Sequence, residues 1–313
     1  MSRYYTILCS LIFTIVSSYS CKTEADKLSY NPPVFPLEHH AEITKLNDDL
    51  VTTMPNYILL CDSVAVLAAG SVDNDKHFQI VSLKDGRYID AFGFVGRGPN
   101  ELTSYSTLDF DSKRNLIFAI DNDGKCLTID LRRALLRQDN FVTDCWKMPS
   151  FARCLLAYHL SDKLLQVECS PCSRFFTTAT NGQDTLNRYD VYPSITKFLD
   201  QNKYCKSDYY FVGSKYAIRP DRKKLVNITG GGMIMEIFDV NKAGQISLRH
   251  IRYFFPTKMK NSMSGANDCM MGVIQTRATD KYIYALYKDT TVADTNALPK
   301  LGVFNWKGDE VCQ

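Results

Sequence analysis

A chain of 313 residues with 45% hydrophobic and 23% charged residues has the composition of a globular protein, which excludes disorder over most of its length. Its formal net charge of +3 at pH 7 is too small to indicate a nucleic-acid-binding surface. The basic residues Arg132, Arg133 and Arg137 have Asp130 and Asp139 as neighbours, so we expect a solvated face there. The sequence therefore predicts no nucleic-acid partner, and its length suffices for one large all-β domain.

The first 20 residues have the pattern of a secretory signal peptide. Arg3 precedes an apolar run at 7–16, which is too short for a good transmembrane helix, and small or polar residues follow. Cys21, placed directly after residues 18–20, resembles the lipidated cysteine of a bacterial lipobox, although serine stands at 18 where leucine is usual. We predict a signal peptide over 1–20 and lipidation at Cys21, with simple secretion as the alternative.

Residues 21–40 are predicted to form an extended tether. The charged stretch 22–26 resembles segments that route lipoproteins to the cell surface, and Pro32, Pro33 and Pro36 favour extended backbone. The expected location is the cell envelope. The protein would be an outer-membrane lipoprotein, periplasmic or surface-exposed, held to the membrane by its N-terminal lipid.

From residue 41 to 313 the chain reads as one β domain built from a degenerate repeat. A polar turn, an almost continuous apolar strand and a further strand recur five times. The apolar strand recurs at 64–68, 116–120, 164–167, 225–228 and 282–286. The strand after it recurs at 78–83, 126–130, 175–179, 235–239 and 301–306, usually before a Gly-containing turn. Short helices are expected at 131–138 and 195–201.

These continuous apolar runs indicate strands that are covered on both faces. Inner strands of a β-propeller are covered in this way because they lie between neighbouring blades, whereas a sandwich would show cleaner alternation. The sequence therefore predicts an all-β propeller with about five visible blades. The last unit stops at Gln313, shortly after a turn, so it is possible to read that blade as truncated.

The glycine-rich stretch 93–102 is the most constrained loop of the chain. Three glycines and a proline specify a rigid connection between the first two blades. Its candidate binding residues are Gly96, Arg97, Gly98, Pro99 and Glu101. The alternative is structural: Arg97 and Glu101 would bond backbone groups and hold the two blades in register.

At this point the chain resembles a known family. Residues 93–130 are similar to the glycine-rich blade junction of NHL-type six-bladed propellers. Residues 219–225 resemble the S-P-D-G-x-x-L turn of TolB-like blades, from which Arg219 and Arg222 depart. Together with Cys21, the chain resembles the TolB-like six-bladed propeller lipoproteins of Bacteroides-type bacteria. That resemblance implies six blades, so either the chain is truncated or residues 41–58 help to close the ring.

Other motifs give weaker predictions. Without Cys9 and Cys21, nine of the 11 cysteines remain, so at least one thiol is free and the pairing stays open. The Cys169-x-x-Cys172 motif lies between two predicted strands and reads as a hairpin turn. A glycine triplet at 230–232 is followed by a strand and not by the helix that a phosphate-binding loop needs. Residues 121–124 form only a fragment of a calcium loop, which turn chemistry explains better.

No local arrangement of residues carries catalysis. The histidines are few and scattered, and there is no G-x-S-x-G sequence, so we predict no catalytic residues, no metal and no cofactor. Aromatic runs at 209–211 and 253–255 are candidates for ligand contacts. The leading hypothesis is a non-enzymatic module that binds a protein, peptide or glycan. The alternatives are a hydrolase or lyase whose site is assembled at the central channel, and a structural role in the envelope.

Overall fold

The computed structural model shows five four-stranded antiparallel sheets, which we call blades 1 to 5 in chain order. It describes residues 29–40, 42, 44–47, 55, 57–68, 75–105, 107–148, 154–160, 162–169, 173–179, 184–191, 214–255, 271–291, 294 and 296–313. The five-blade β-propeller arrangement confirms the predicted fold class. Among the described residues, none of the helical structure is long and apolar enough to cross a membrane.

Within each blade, the four strands follow one another in chain order. Blade 1 contains β1 Tyr57–Cys61, β2 Val64–Ala68, β3 Lys76–Ser82 and β4 Tyr88–Phe94. Blade 2 contains β5 Thr107–Asp111, β6 Leu116–Ile120, β7 Lys125–Asp130 and β8 Val142–Lys147. Blade 3 contains β9 Cys154–Leu160, β10 Lys163–Cys169, β11 Ser173–Ala179 and β12 Thr185–Tyr189. Blade 4 contains β13 Lys215–Ile218, β14 Lys224–Ile228, β15 Ile234–Val240 and β16 Ile246–Tyr253. Blade 5 contains β17 Val273–Ala278, β18 Tyr282–Tyr287, β19 Lys300–Asn305 and β20 Glu310–Cys312.

The second strand of blade 2 shows why these strands are apolar throughout. Side chains alternate between the two faces of a strand. On one face of β6, Ile117 and Ala119 join the apolar cluster shared with blade 1. On the other face, Phe118 and Ile120 join the cluster shared with blade 3. Both faces are therefore buried, and an alternating polar residue would lose its hydration in either direction.

First strands lie at the axis of the propeller. The first strands of blades 2 and 3, β5 and β9, contact each other, and so do β13 and β17 of blades 4 and 5. Turns between the first and second strands therefore open at one end of the axis, where side chains from separate blades can meet.

The short helix predicted at 131–138 is present but ends earlier. Helix α1 spans Leu131–Leu135, and Asp130 caps it by accepting a hydrogen bond from the Arg133 backbone N–H. Arg137 has a φ of 57°, a left-handed conformation that ends the helical path. The prediction was therefore three residues too long. The second predicted helix, 195–201, lies outside the described residues.

A segment before the first blade runs along the outside of blades 4, 5 and 1. We call its described residues between 31 and 47 the rim segment. The Asn31 backbone N–H donates to Tyr253 O over 3.0 Å in blade 4. Gln313, after the last strand of blade 5, exchanges two backbone hydrogen bonds with Leu37 and His39, at 2.9 and 2.6 Å. Further on, the Asn47 side chain donates to Gly86 O over 3.3 Å in blade 1.

Candidate binding site at the propeller axis

The turn between β13 and β14 places an arginine at the axis. Arg222 has a φ of 61°, a conformation that costs a non-glycine residue about 1–2 kcal/mol, and it stands where the related turn motif has glycine. Its side chain extends from blade 4 to blade 2. Nη1 donates to both carboxylate oxygens of Asp109, over 2.7 and 2.8 Å, and Nη2 donates to Phe110 O over 2.6 Å. These charge-assisted hydrogen bonds offset the backbone strain and explain the departure from glycine.

Asp109 connects three blades. It lies on β5 of blade 2 and is only 5% exposed. Besides the two hydrogen bonds from Arg222 of blade 4, its Oδ2 accepts one from the His159 backbone N–H of blade 3, over 3.0 Å. Arg222 thus compensates the charge of this carboxylate, and both of its oxygens accept hydrogen bonds. Asp109 therefore connects blades 2, 3 and 4 at the axis.

A second group at the same end joins blades 2 and 3. Arg114, in the turn after β5, donates from Nε to Asp111 over 2.7 Å. Its Nη2 donates to Nδ1 of His159 over 2.7 Å, which places the imidazole proton of the neutral ring on Nε2. Burial would raise the pKa of Asp111, but the hydrogen bond from Arg114 and the charges of Arg222 and Arg114 lower it below its usual value. Burial, together with the charge of Arg114, lowers the pKa of His159.

Blades 1 and 5 contribute Tyr57 and Arg277 to this region. Burial raises the pKa of Tyr57, and the charge of Arg277 opposes that shift. Burial and the charge of Asp109 raise the pKa of Tyr158, while Arg222 and Arg277 oppose that shift. Side chains of all five blades are thus within electrostatic range of one another. We call this group the axial cluster: Tyr57, Asp109, Asp111, Arg114, Tyr158, His159, Arg222 and Arg277.

Arg277 differs from the other charged members of the axial cluster. The carboxylates of Asp109 and Asp111 already pair with Arg222 and Arg114. Arg277 is exposed and donates to the backbone oxygen of Thr276 over 3.1 Å. Within the described part of the chain it has no ion pair, so the cluster carries one uncompensated positive charge that a ligand could meet.

The glycine-rich junction loop lies away from this group. The Glu101 carboxylate accepts a hydrogen bond from the Gly98 backbone N–H over 2.7 Å, and a Cβ at Gly96 would collide with Glu101 Oε2. Lys125 of blade 2 donates to Glu101 O over 2.6 Å and also contacts Gly98 O. Cys145 of blade 2 donates to Pro99 O over 3.0 Å.

These contacts fold the loop around Glu101 and attach it to blade 2. Arg97 is exposed, and no hydrogen bond or ion pair of its side chain is found among the described residues. Among the described residues, none of these hydrogen bonds of the loop reaches a side chain of the axial cluster. The structure therefore does not bring the sequence-predicted loop residues together with the polar residues at the axis.

The remaining sequence motifs occupy structural positions or cannot be placed. The glycine triplet brings two blades together, because Gly231 pairs with Met271 and Gly272 N donates to Gly230 O over 2.7 Å. Asp121 accepts from two backbone N–H groups within its own turn. Phe254 and Phe255 are buried in the core between blades 4 and 5.

Other candidates fall partly or wholly outside the described residues. The Cys169-x-x-Cys172 turn and the aromatic run at 209–211 are in this group. In the described ranges, no group of three histidine, cysteine or acidic residues could hold a metal ion. Cys61, Cys145 and Cys312 are free thiols, and Cys126 Sγ donates to Gly124 O over 3.6 Å.

In the sequence, the decisive residues of the axial cluster look unrelated. Asp109 falls among turn-forming acidic residues, His159 is isolated, and Arg222 stands out only as a departure from a turn motif. The one usable signal is that departure, because an arginine at a left-handed position needs a compensating contact.

Comparisons with known proteins agree with the architecture. A family model described as TolB-like 6-blade propeller-like matches residues 35–313. Comparison with curated proteins gives no match. A solved structure of a DUF4221 family member from Bacteroides vulgatus is similar over 85% of this chain and 82% of that chain, with 12% identity and a TM-score of 0.56.

A second solved structure, of a protein from Bacteroides fragilis assigned as exported, has 14% identity and a TM-score of 0.49. It covers 91% of this chain and 78% of that chain. At such identities, structural similarity concerns the fold and not the activity. The family match, by contrast, spans most of the sequence and confirms the predicted resemblance. The chain belongs to the TolB-like 6-blade propeller-like family.

Proposed function

We propose that this protein is a binding module of the cell envelope that recognises a protein or peptide at the axial end of the propeller. The signal-peptide pattern of residues 1–20 supports export, and the position of Cys21 supports attachment of a lipid. In this proposal the lipid holds the propeller at the outer membrane, and the rigid blades present the axial cluster to the partner.

One observation carries the proposed recognition. At the axis, the carboxylates of Asp109 and Asp111 are occupied by Arg222 and Arg114, whereas Arg277 is exposed and has no carboxylate partner in the described part of the chain. A guanidinium binds a carboxylate through parallel hydrogen bonds. The ligand is therefore one that brings an acidic side chain or a terminal carboxylate to the axis.

The same pairing argues against catalysis by the axial cluster. A general base needs a free lone pair directed at the reacting group. Asp109 and Asp111 accept hydrogen bonds from arginines, and Nδ1 of His159 accepts one from Arg114. These groups fix the shape of the axial end, and binding is the function that this geometry supports best.

Photo-crosslinking in intact cells tests the proposal. A photoreactive residue replaces Gln275, an exposed residue two positions before Arg277 on β17, in one strain, and Lys242, an exposed residue of the turn after β15, in a control strain. We expect a discrete protein adduct at position 275 that is absent at position 242. The same adducts at both positions, or none at 275, would reject axial recognition.

Lipid attachment is tested in parallel with a labelled fatty acid. The wild-type chain should incorporate the label and sediment with membranes, whereas Cys21→Ser should do neither. Incorporation of label by Cys21→Ser would show that the anchor is elsewhere.

A further inference from the structure

Four of the blade interfaces are closed by apolar clusters. Each cluster contains buried residues from two successive blades, and the four clusters join blades 1 and 2, 2 and 3, 3 and 4, and 4 and 5. These interfaces establish how blades pack in this chain: the apolar face of one sheet covers the apolar face of the next.

Blade 1 has a different second face. Ala65, Leu67 and Val81 form a small buried cluster there, 3%, 6% and 6% exposed, and among the described residues Leu83 of the same blade is the one further apolar side chain that packs against it. None of the apolar clusters among the described residues joins blade 1 to blade 5. In the described part of the chain, this face shares no apolar cluster with a neighbouring blade, whereas the other face shares one with blade 2.

The first strand of blade 1 is unusually exposed on this face. Ile58 and Leu60 pair with Leu67 and Ala65, so they share the face, and they are 47% and 65% exposed. On the equivalent first strand of blade 3, Tyr158 is 7% exposed. Two adjoining exposed apolar side chains make this strand a candidate for an interaction surface.

Blade 5 presents a matching face. Along β18, Ile283, Ala285 and Tyr287 are buried against blade 4, whereas the intervening residues point the other way and are only half-buried. One of these, Leu286, pairs with Leu301, which is 46% exposed. At Ile58 and Leu60 of blade 1 and at Leu301 of blade 5, these second faces expose apolar side chains of the kind that the other four interfaces bury.

Arg277 lies on the same face of blade 5. It pairs with Tyr284 across β17 and β18, and cross-strand partners share a face of the sheet. Its charge also reaches Tyr57 on the first strand of blade 1. Arg277 is therefore located where the space between blades 5 and 1 meets the axis.

The rim segment bounds this space on the outside. It is attached to blade 5 at His39 and to blade 1 at Asn47. The eight residue steps from one attachment to the other can span at most about 29 Å in extended form. We call the bounded space the 5/1 slot, lined by Ile58, Leu60, Arg277, Tyr284, Leu286 and Leu301.

We infer that the 5/1 slot binds an extended, apolar segment of a partner protein, and that an acidic residue of this segment pairs with Arg277. The inference rests on the proposed function and adds a location and a ligand chemistry. Apolar residues of the segment cover Ile58, Leu60 and Leu301, as the faces of neighbouring blades cover one another elsewhere. The carboxylate supplies the charge that the described residues do not offer to Arg277.

Peptide selection tests this inference and does not require an identified partner. A displayed library of linear nine-residue peptides is selected on the purified mature protein, and the enriched peptides are measured by fluorescence anisotropy. We expect alternating apolar residues with one acidic residue. Leu60→Asp, Leu301→Asp and Arg277→Glu should each weaken binding about tenfold, which corresponds to about 1.4 kcal/mol.

Matched controls separate the slot from general effects. Leu248→Asp alters another exposed leucine, 38% exposed on the outer strand of blade 4, and should leave affinity unchanged. A peptide with lysine in place of its acidic residue should bind Arg277→Glu better than it binds the wild type. Thermal unfolding of each variant verifies that the variant folds.

Several results would overturn the inference. These are no enrichment, enriched peptides that bind Leu60→Asp and Arg277→Glu with undiminished affinity, and a polyuronate glycan that binds through Arg277 when peptides do not. A dimer that Leu60→Asp dissociates would assign the slot to a second copy of the chain. If the adduct at position 275 forms in cells while peptide affinity is unchanged by Leu60→Asp, only the slot is refuted. If both experiments fail, the proposed function fails as well.

Discussion

The interface between blades 3 and 4 and the space between blades 5 and 1 lie in the same ring but differ in what fills them. Between blades 3 and 4, Arg174 and Glu236 form an ion pair with side chains 0% and 1% exposed. The guanidinium packs against the rings of both Phe175 and Phe238, at 5.0 and 5.1 Å from their centres. Between blades 5 and 1, the charged residue is exposed and apolar side chains face the solvent.

The difference separates two uses of the same sheet face. A buried ion pair must find its partner within the protein, since desolvation of a lone charge costs far more than the pair gains. An exposed arginine keeps its hydration and can exchange water for a ligand at little cost. The interface between blades 3 and 4 thus stabilises the fold, whereas the 5/1 slot is available for recognition.

The largest expected change in stability comes from breaking the ion pair between blades 3 and 4. Glu236→Ala leaves the Arg174 guanidinium buried without its carboxylate, and we expect the free energy of unfolding to fall by about 3–5 kcal/mol. Urea denaturation monitored by tryptophan fluorescence and by circular dichroism measures this change.

The double variant Arg174→Met, Glu236→Met is the control for this prediction. It removes both charges at similar volume and should recover much of the loss. A change below about 1 kcal/mol in the single variant would show that the pair is hydrated, and the contrast with the slot would then disappear.

A smaller effect is expected where the rim segment packs against the interface of blades 4 and 5. Phe35 packs edge-on against Phe304, with 5.3 Å between ring centres, and lies over Gly302. Because the ring is only half-buried, Phe35→Ala should cost about 1–2 kcal/mol in unfolding free energy. Val34→Ala, at a neighbouring side chain that is 80% exposed, is the matched control and should be neutral. Equal effects of both substitutions would mean that the rim segment does not anchor through Phe35.

The blades were predictable because their signal is local. The five apolar runs predicted from the sequence coincide with β2, β6, β10, β14 and β18. A strand such as β6 is apolar on both faces because it is packed on both faces. Its burial therefore produces a run of consecutive apolar residues, which can be recognised in the sequence. Helix α1 was predicted three residues too long because no glycine or asparagine in the sequence indicated the left-handed backbone at Arg137.

The axial cluster could not be predicted because its contacts are not local. Asp109 and Arg222 are 113 residues apart, and the partners of Asp109 come from two other blades. Which aspartate faces the axis depends on register and on the order of blades, and neither is set by spacing along the chain. The faces that line the 5/1 slot can likewise be identified only by comparison with the other four interfaces, which the sequence does not define.

The axial end should weaken the fold in mild acid, because its histidine is held neutral. Burial lowers the pKa of His159 below its ordinary 6.5, so the unfolded chain takes up this proton first. The stabilisation is complete above pH 6.5 and declines as the pH falls toward the lowered pKa. His159→Gln should remove this part of the pH dependence in urea titrations between pH 7 and pH 5, whereas His40→Gln, at an exposed position, should not. An identical slope in the His159→Gln variant would show that other groups cause the acid sensitivity.

The smallest expected effect is the one that separates the two regions most sharply. Leu60→Asp places a charge on an exposed side chain of the slot, so the unfolding free energy should change by less than about 0.5 kcal/mol. Ile117→Ala, within the closed interface of blades 1 and 2, should cost about 2–5 kcal/mol because it leaves a cavity. Chemical denaturation of the two variants side by side makes the comparison. If Leu60→Asp destabilised the fold as strongly as Ile117→Ala, the slot would be a packed interface of the folded chain, and its apolar residues would serve stability and not a partner.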